Sequence, residues 1–176
     1  MSLLLVFFLC SQVYSQEILV LGIAQDAGHP QADCHKECCT RVHEGNAEAH
    51  LVSSLAISDG LSFWIIDATP DFPAQLKLAQ ETFEGQTFSG ILLTHAHIGH
   101  YTGIMFLGRE AMGAKSIPVF AMPRMKDFIE SNGPWSQLVE LKNIQLIQVQ
   151  DNQTFDLGEY LRITPVLVPH RDEYSE

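Results

Sequence analysis

The chain has 176 residues, 46% of them hydrophobic, with 10 Lys and Arg against 21 Asp and Glu. That composition suits one globular domain without a long disordered tract. A net charge of -11 repels polyanions, so nucleic acid is excluded as a partner and a small-molecule substrate is expected.

Residues 1–15 carry no charged side chain, hold a seven-residue apolar run over 3–9, and close on Val13-Tyr14-Ser15, which suits small-residue cleavage rules. The pattern predicts a secretory signal peptide over 1–15, a mature domain over 16–176 beginning at Gln16, and export to the periplasm or beyond. Because a bilayer span needs about 20 apolar residues, no stable membrane insertion is expected. Leu9 before Cys10 disfavours lipidation there.

Residues 17–24 (EILVLGIA) predict a strand. Residues 25–49 read as a polar loop carrying Asp26, His29, Pro30 and three cysteines, long enough to suggest function. Residues 51–58 and 61–68 predict a hairpin around Asp59-Gly60, whose second arm ends in Asp67. Pro70-Asp71 opens a helix to about Phe83, with Phe72, Leu76, Ala79 and Phe83 at helical spacing. The run 89–93 (SGILL) predicts a buried strand. Beyond it come a helix over 101–110, a strand over 116–121, a helix over 123–131, a turn at 132–134 and a helical piece over 135–141. Strands over 144–149 and 154–157 flank Asp151-Asn152, and a last strand over 160–168 delivers His170. Phe63, Trp64, Phe106 and Trp135 are assigned to the core, and Glu37, Glu44 and Glu48 to a solvated face.

The chemistry concentrates where the strand over 89–93 ends: His95, His97 and His100 fall within six residues. Neutral imidazole is the commonest zinc ligand, and a catalytic zinc takes three protein ligands and keeps one open position. Residues two apart can face the same way, so His95 and His97 are expected to grip one ion while His100 reaches a neighbouring point. Strands and helices that alternate, with polar groups at strand ends, predict an α/β layered domain. Asp26 and His29 share one loop and are candidates to reach this site, Asp26 as a catalytic group, with a plain turn role as the equal alternative. Cys34, Cys38 and Cys39, with His35 and His43 nearby, suit either a structural zinc or a disulfide, and the spacing decides neither.

These residues resemble the metallo-β-lactamase superfamily. The signature HxHxDH is matched by His95-Ala96-His97-Ile98-Gly99-His100, the earlier strand ending in an acid by Ile65-Ile66-Asp67, and the later lone histidine by His170. The segment 20–31 with Pro30-Gln31, followed by Cys34, Cys38 and Cys39, is similar to the start of the pyrroloquinoline quinone biosynthesis protein B branch. The resemblance implies an αββα sandwich holding one or two zinc ions, with iron as the alternative. By position, His95, His97 and His170 would hold the first metal, His100 would belong to a second, and Asp67 would brace the metal loop. Two departures stand out. Gly99 replaces the signature Asp, which leaves room for another carboxylate such as Asp26. The bridging Asp and final His of the superfamily lie beyond residue 176, so the C-terminal half of the fold is expected to be incomplete, with an open sheet edge prone to homo-oligomerisation. The implied activity is metal-dependent hydrolysis of an ester, amide or lactone. The alternatives are an oxidative, iron-dependent role like that of the quinone-biosynthesis branch, and a metal-binding chain without turnover.

Overall fold

Side-chain alternation along the central strands decides how the sheet packs. In the computed structural model, which describes residues 15–171 and 173–175, six strands follow one another across a single sheet in chain order. They are β1 (Glu17–Gly22), β2 (Ser54–Ser58), β3 (Ser62–Ile66), β4 (Thr87–Leu92), β5 (Ile117–Ala121) and β6 (Ile144–Gln148). β1 to β3 pair antiparallel, and β3 to β6 pair parallel. With a period of two, Phe63, Ile65, Ile91, Val119 and Ala121 point to one face, while Trp64, Leu92 and Phe120 point to the other. Both faces of the middle strands are therefore apolar, as parallel strands require.

The first face is covered by helices. α2 (Phe72–Thr82) contributes Phe72 and Ala79, and α4 (Pro123–Ser131) contributes Met125 and Ile129. α5 (Trp135–Glu140) adds Leu138 to the same core. Pro73 and Pro123 each sit in a first helical turn, where a missing N–H costs nothing. The opposite face carries a short hairpin, β7 (Phe155–Asp156) with β8 (Arg162–Ile163), whose Phe155, Leu157 and Ile163 pack on Trp64 and Phe120. Layering thus runs helices, sheet, hairpin, so that the second sheet is represented by two short strands.

Three expectations are corrected, and one open question is narrowed. Residues 25–49 are not all loop, because α1 (Glu37–His43) forms with an acid in its first turn and Arg41 and His43 in its last, a pattern that matches the helix dipole. Residues 101–110 do not form one helix: a single turn, α3 (Ile98–Tyr101), gives way to a 3-10 segment over Thr102–Leu107. The cause is Gly103, whose N–H bonds out of the helix to the Ala68 carbonyl at 2.8 Å and whose Cα packs so near Thr69 that a Cβ would stand 2.1 Å from its carbonyl oxygen. The last strand shortens from 160–168 to Arg162–Ile163, after which Pro165 and the exposed Val166, Leu167 and Val168 run on without a ladder. Cys34, Cys38 and Cys39 are free thiols, so no disulfide joins them. The leader expected over 1–15 and Cys10 lie outside the described residues, apart from Ser15. Among the described residues, no helix is long and apolar enough to cross a membrane.

One buried carboxylate ties the hairpin to the sheet. Asp59, 2% exposed, accepts from the N–H groups of Leu61 and Ser62 at 2.9 and 2.8 Å in its own turn, and from Glu159 N–H at 3.1 Å. Burial pushes its carboxyl up, but those donors hold it below the ordinary 3.8. Gly158 makes the approach feasible, since a Cβ there would lie 2.3 Å from Asp59 Oδ2. Asp59→Ala is expected to cost roughly 2–3 kcal/mol in urea unfolding at pH 7, the range for lost bonds to a buried charged acceptor. Asp59 contributes above its unfolded pKa and loses that contribution as pH falls through the lower folded value. The wild-type advantage should therefore shrink below about pH 4, and an undiminished gap at pH 3 would contradict the assignment.

Candidate metal centre

The site grows from the backbone conformation of one residue. At the end of β3, Asp67 takes φ 66°, a left-handed conformation that Asp tolerates better than most residues. Ser54 Oγ donates to the Ile66 and Asp67 carbonyls at 2.9 and 3.1 Å, and Asp67 N–H donates to Leu92 at 2.8 Å. The chain is thereby turned so that the buried Asp67 carboxylate lies beneath the histidine loop. It accepts from Thr94 N–H at 2.8 Å, from the Thr94 hydroxyl at 2.8 and 2.9 Å, and from His100 Nδ1–H at 2.8 Å.

These bonds fix tautomers. Because the Thr94 hydroxyl spends its proton on Asp67, the 2.8 Å contact between Thr94 Oγ1 and His95 Nδ1 must carry its proton on His95. His95 Nε2 is left with a bare lone pair, 2.9 Å from His97 Nδ1, and His170 Nε2 approaches the same His97 atom at 3.3 Å. Burial, together with the neighbouring charge on His100, depresses His95 to about 4. The ligand atoms of His95, His97 and His170 all lie within 4.8 Å of one another. Tetrahedral zinc with Zn–N bonds of about 2.0–2.1 Å separates its ligands by roughly 3.3 Å, so this nitrogen set fits such an ion. His97 Nε2 faces Glu173 Oε2 at 3.3 Å and the Arg171 guanidinium at 3.2 and 3.3 Å. Because a guanidinium can only donate, His97 Nε2 accepts from Arg171 and the His97 proton sits on Nδ1, which it donates to the bare His95 Nε2. Glu173, three residues after His170, thus meets His97, and Asp172 lies outside the described residues.

His100 stands apart from the triad of nitrogens. Its Nδ1 is held by Asp67, and its Nε2 meets Asp26 Oδ1 at 3.1 Å. Burial works to lower His100, but the two carboxylates outweigh it and raise its pKa. Burial pushes Asp26 up, but the hydrogen bond and charge of His100, a backbone hydrogen bond and the charge of His97 together outweigh it, with a net lowering. Asp26 reaches the site because Ile23 and Ala24 donate to Leu51, and Ser53 donates to Ala24, fastening its loop to residues 51–53. Those residues are held in turn by α2: Asp71 accepts from Val52 N–H at 2.8 Å, and Gln75, fully buried, donates to the Val52 carbonyl at 2.7 Å.

Thr94 is the participant that sequence reasoning did not single out; the hydroxyl immediately before the first histidine was the available signal for it. A cleft of about 450 Å³ opens beside His95 and His170, walled by Leu92, Phe120, Met122 and Phe155. His29 turns away from this centre. Its ligand nitrogen lies within 4.8 Å of the Cys38 and Cys39 sulfurs, and its Nδ1 is buried without a hydrogen-bond partner. His35 pairs with Asp33 on the surface.

In the metal-stripped protein, His100 should protonate first on acidification, and His95 should stay neutral to about pH 4. His100 thus adds stability below its unfolded pKa and loses it as pH rises through the folded one. His95 subtracts stability as pH falls below about 6.5. Ring-carbon NMR titration of the assigned histidines checks the order, and the reverse order would refute the hydrogen-bond pattern given above.

The chain matches a beta-lactamase superfamily domain over residues 64–175. It is 31% identical over 162 residues to the coenzyme PQQ synthesis protein B of Acinetobacter baylyi, covering 85% of this chain and 52% of that protein. It is 30% identical over 165 residues to the protein of the same name from Xanthomonas campestris, covering 86% and 52%. The chain therefore spans about half the length of the curated relatives it matches. Among solved structures, Zn(2+)-bound PqqB from Methylobacterium extorquens aligns with TM-score 0.72 and 22% identity, over 85% of this chain and 51% of that one. A diphosphatase from the PhnP family aligns with TM-score 0.59 and 20% identity, over 81% and 53%. At these identities, the structural likenesses establish the shared metallo-β-lactamase fold.

Proposed function

The chain belongs to the beta-lactamase superfamily, and from that membership we propose that it carries the metal-binding half of a hydrolase acting on an ester, amide or lactone. The observation that supports this reading is the convergence of His95 Nε2, His97 Nδ1 and His170 Nε2 at the mouth of an apolar cleft. Zinc held by three such nitrogens supplies Lewis acidity and lowers the pKa of water to near 7.

The protein's own groups have separate tasks. Thr94 and Asp67 hold His95 in the tautomer that offers Nε2. Asp26 Oδ2 lies 3.9 Å from His97 Nδ1, on the side of the triad, where it can take the proton that water gives up as it adds to the carbonyl. Leu92, Phe120, Met122 and Phe155 form the wall on which the non-reacting part of the substrate rests, which calls for an apolar group there. The cysteine cluster with His29 is read as a structural zinc site, since thiolate and imidazole are its usual ligands.

A second reading is a role in coenzyme PQQ synthesis, as the printed name of its relatives says of them, with an iron-dependent oxidative step as the alternative to hydrolysis. Imidazole and carboxylate serve iron as readily as zinc.

Elemental mass spectrometry of zinc and iron, with hydrolysis of p-nitrophenyl acetate and a simple lactone, tests both readings. The double variant His95→Ala, His97→Ala should lose about one metal equivalent and its hydrolysis should fall by about 100-fold or more. Iron in place of zinc, without hydrolysis, would select the oxidative reading. Unchanged metal content in the variant would refute the site.

A further inference from the structure

His95 and His97 leave the sheet together, but the third nitrogen of the triad arrives on a stretch outside the sheet. After β8 the chain passes Pro165 and the exposed Val166, Leu167 and Val168 before it reaches His170. On that side Leu167 N–H donates to Asp151 Oδ1 at 2.7 Å, a contact made at the surface.

The firmer holds lie beyond His170. Ser175, 2% exposed, accepts from Ala96 N–H through its Oγ at 2.8 Å, across 79 positions. Ala96 is itself buried and stands between His95 and His97, and a buried N–H must find an acceptor. The histidine loop therefore has its own reason to keep Ser175 in place. Tyr174 makes the second hold. Its ring stacks on Phe128 of α4, with centroids 5.3 Å apart and planes 27° apart, and Phe128 meets Tyr101 edge-on at 5.4 Å. Tyr101 ends the helical turn that carries His100, so these aromatic contacts also lead back to the histidine loop.

Resting on the metal-site reading above, we infer that Ser175 and Tyr174 are positioning residues of the centre: they latch the stretch that follows His170 onto the histidine loop and onto α4, and so set the distance at which His170 closes the triad. Asp67 and Thr94 already orient His95. What the latch adds is the third nitrogen, and because Ser175 grips the backbone between the other two ligands, one hydrogen bond sets both sides of the site. Linkage follows from this arrangement. An ion held by all three histidines favours the docked latch, and the docked latch favours the ion by the same factor. Arg171 reports on it, since it adjoins the third nitrogen and its side chain is 72% exposed.

The test is zinc and cobalt titration of the metal-stripped full chain against a competing chelator, with limited trypsin digestion of the same samples. Subtracting the His95→Ala, His97→Ala variant removes the signal of any metal held at the cysteines. Ser175→Ala and Tyr174→Ala should each bind zinc at the triad about 10- to 100-fold more weakly, the range for losing a group that orients a ligand. Their visible cobalt spectra should lose the intensity of a tetrahedral ion and approach the spectrum of His170→Ala. Tyr174→Phe, which keeps the stacked ring, should restore both affinity and spectrum. In the wild type, zinc should slow cleavage after Arg171 by about tenfold or more. Wild-type affinity and spectrum in either alanine variant would overturn the role of that residue. Equal metal uptake by wild type and the His95→Ala, His97→Ala variant would overturn the triad instead, so the two failures are distinguishable. Should the alanine variants not fold, the wild-type digestion decides, and equal cleavage rates with and without zinc overturn the latch.

Discussion

A buried carboxylate must find donors, and the way Asp67 finds them sets the position of nearly everything at the centre. Leaving such a group unpaired costs several kcal/mol, so the structure around it is not free to drift. Its donors are the backbone and hydroxyl of Thr94 and the imidazole of His100, and its own N–H is spent on Leu92. The ends of β3 and β4 are thereby locked together. The histidine loop leaves the sheet at a fixed angle, and two of its imidazoles have their protons assigned before any ligand arrives.

The same economy explains why the centre lies where three segments meet. The loop after β1 is fastened to residues 51–53, residues 51–53 are fastened to α2 through Asp71 and Gln75, and α2 packs on the sheet through Phe72 and Ala79. Asp26 is thus held by a chain of backbone hydrogen bonds that ends in the hydrophobic core. A polar site built this way inherits the rigidity of the packing beneath it.

Much of this was legible in the sequence. Alternation and turn chemistry located β3, and an apolar run located β4. Prolines and helical spacing located α2 and α4. Three histidines at a strand end marked the centre, and their spacing, with Asp67 and His170, carried the resemblance to the metallo-β-lactamase superfamily that the family match supports. What could not be read depends on contacts between residues far apart in the chain. Glu173 meets His97 across 76 positions, and the partner of Asp26, offered by the sequence for the space at Gly99, is His100 across 74. The break in the helix after residue 101 is likewise tertiary, because it follows from the approach of Gly103 to Ala68 and Thr69. The shortened last strand has a local cause in Pro165, which the apolar run over 164–168 concealed.

Sheet neighbours in this protein are also sequence neighbours, from β1 through β6. Each new strand adds to an edge that already exists, so each step closes only the connection to the preceding strand. The histidine triad has the opposite character, because His170 must return to His97 across 73 residues. A scaffold can be laid down strand by strand as the chain leaves the ribosome, and ligand geometry is completed only when the last segment docks. The most local part of the molecule is built first, and its chemistry is acquired last.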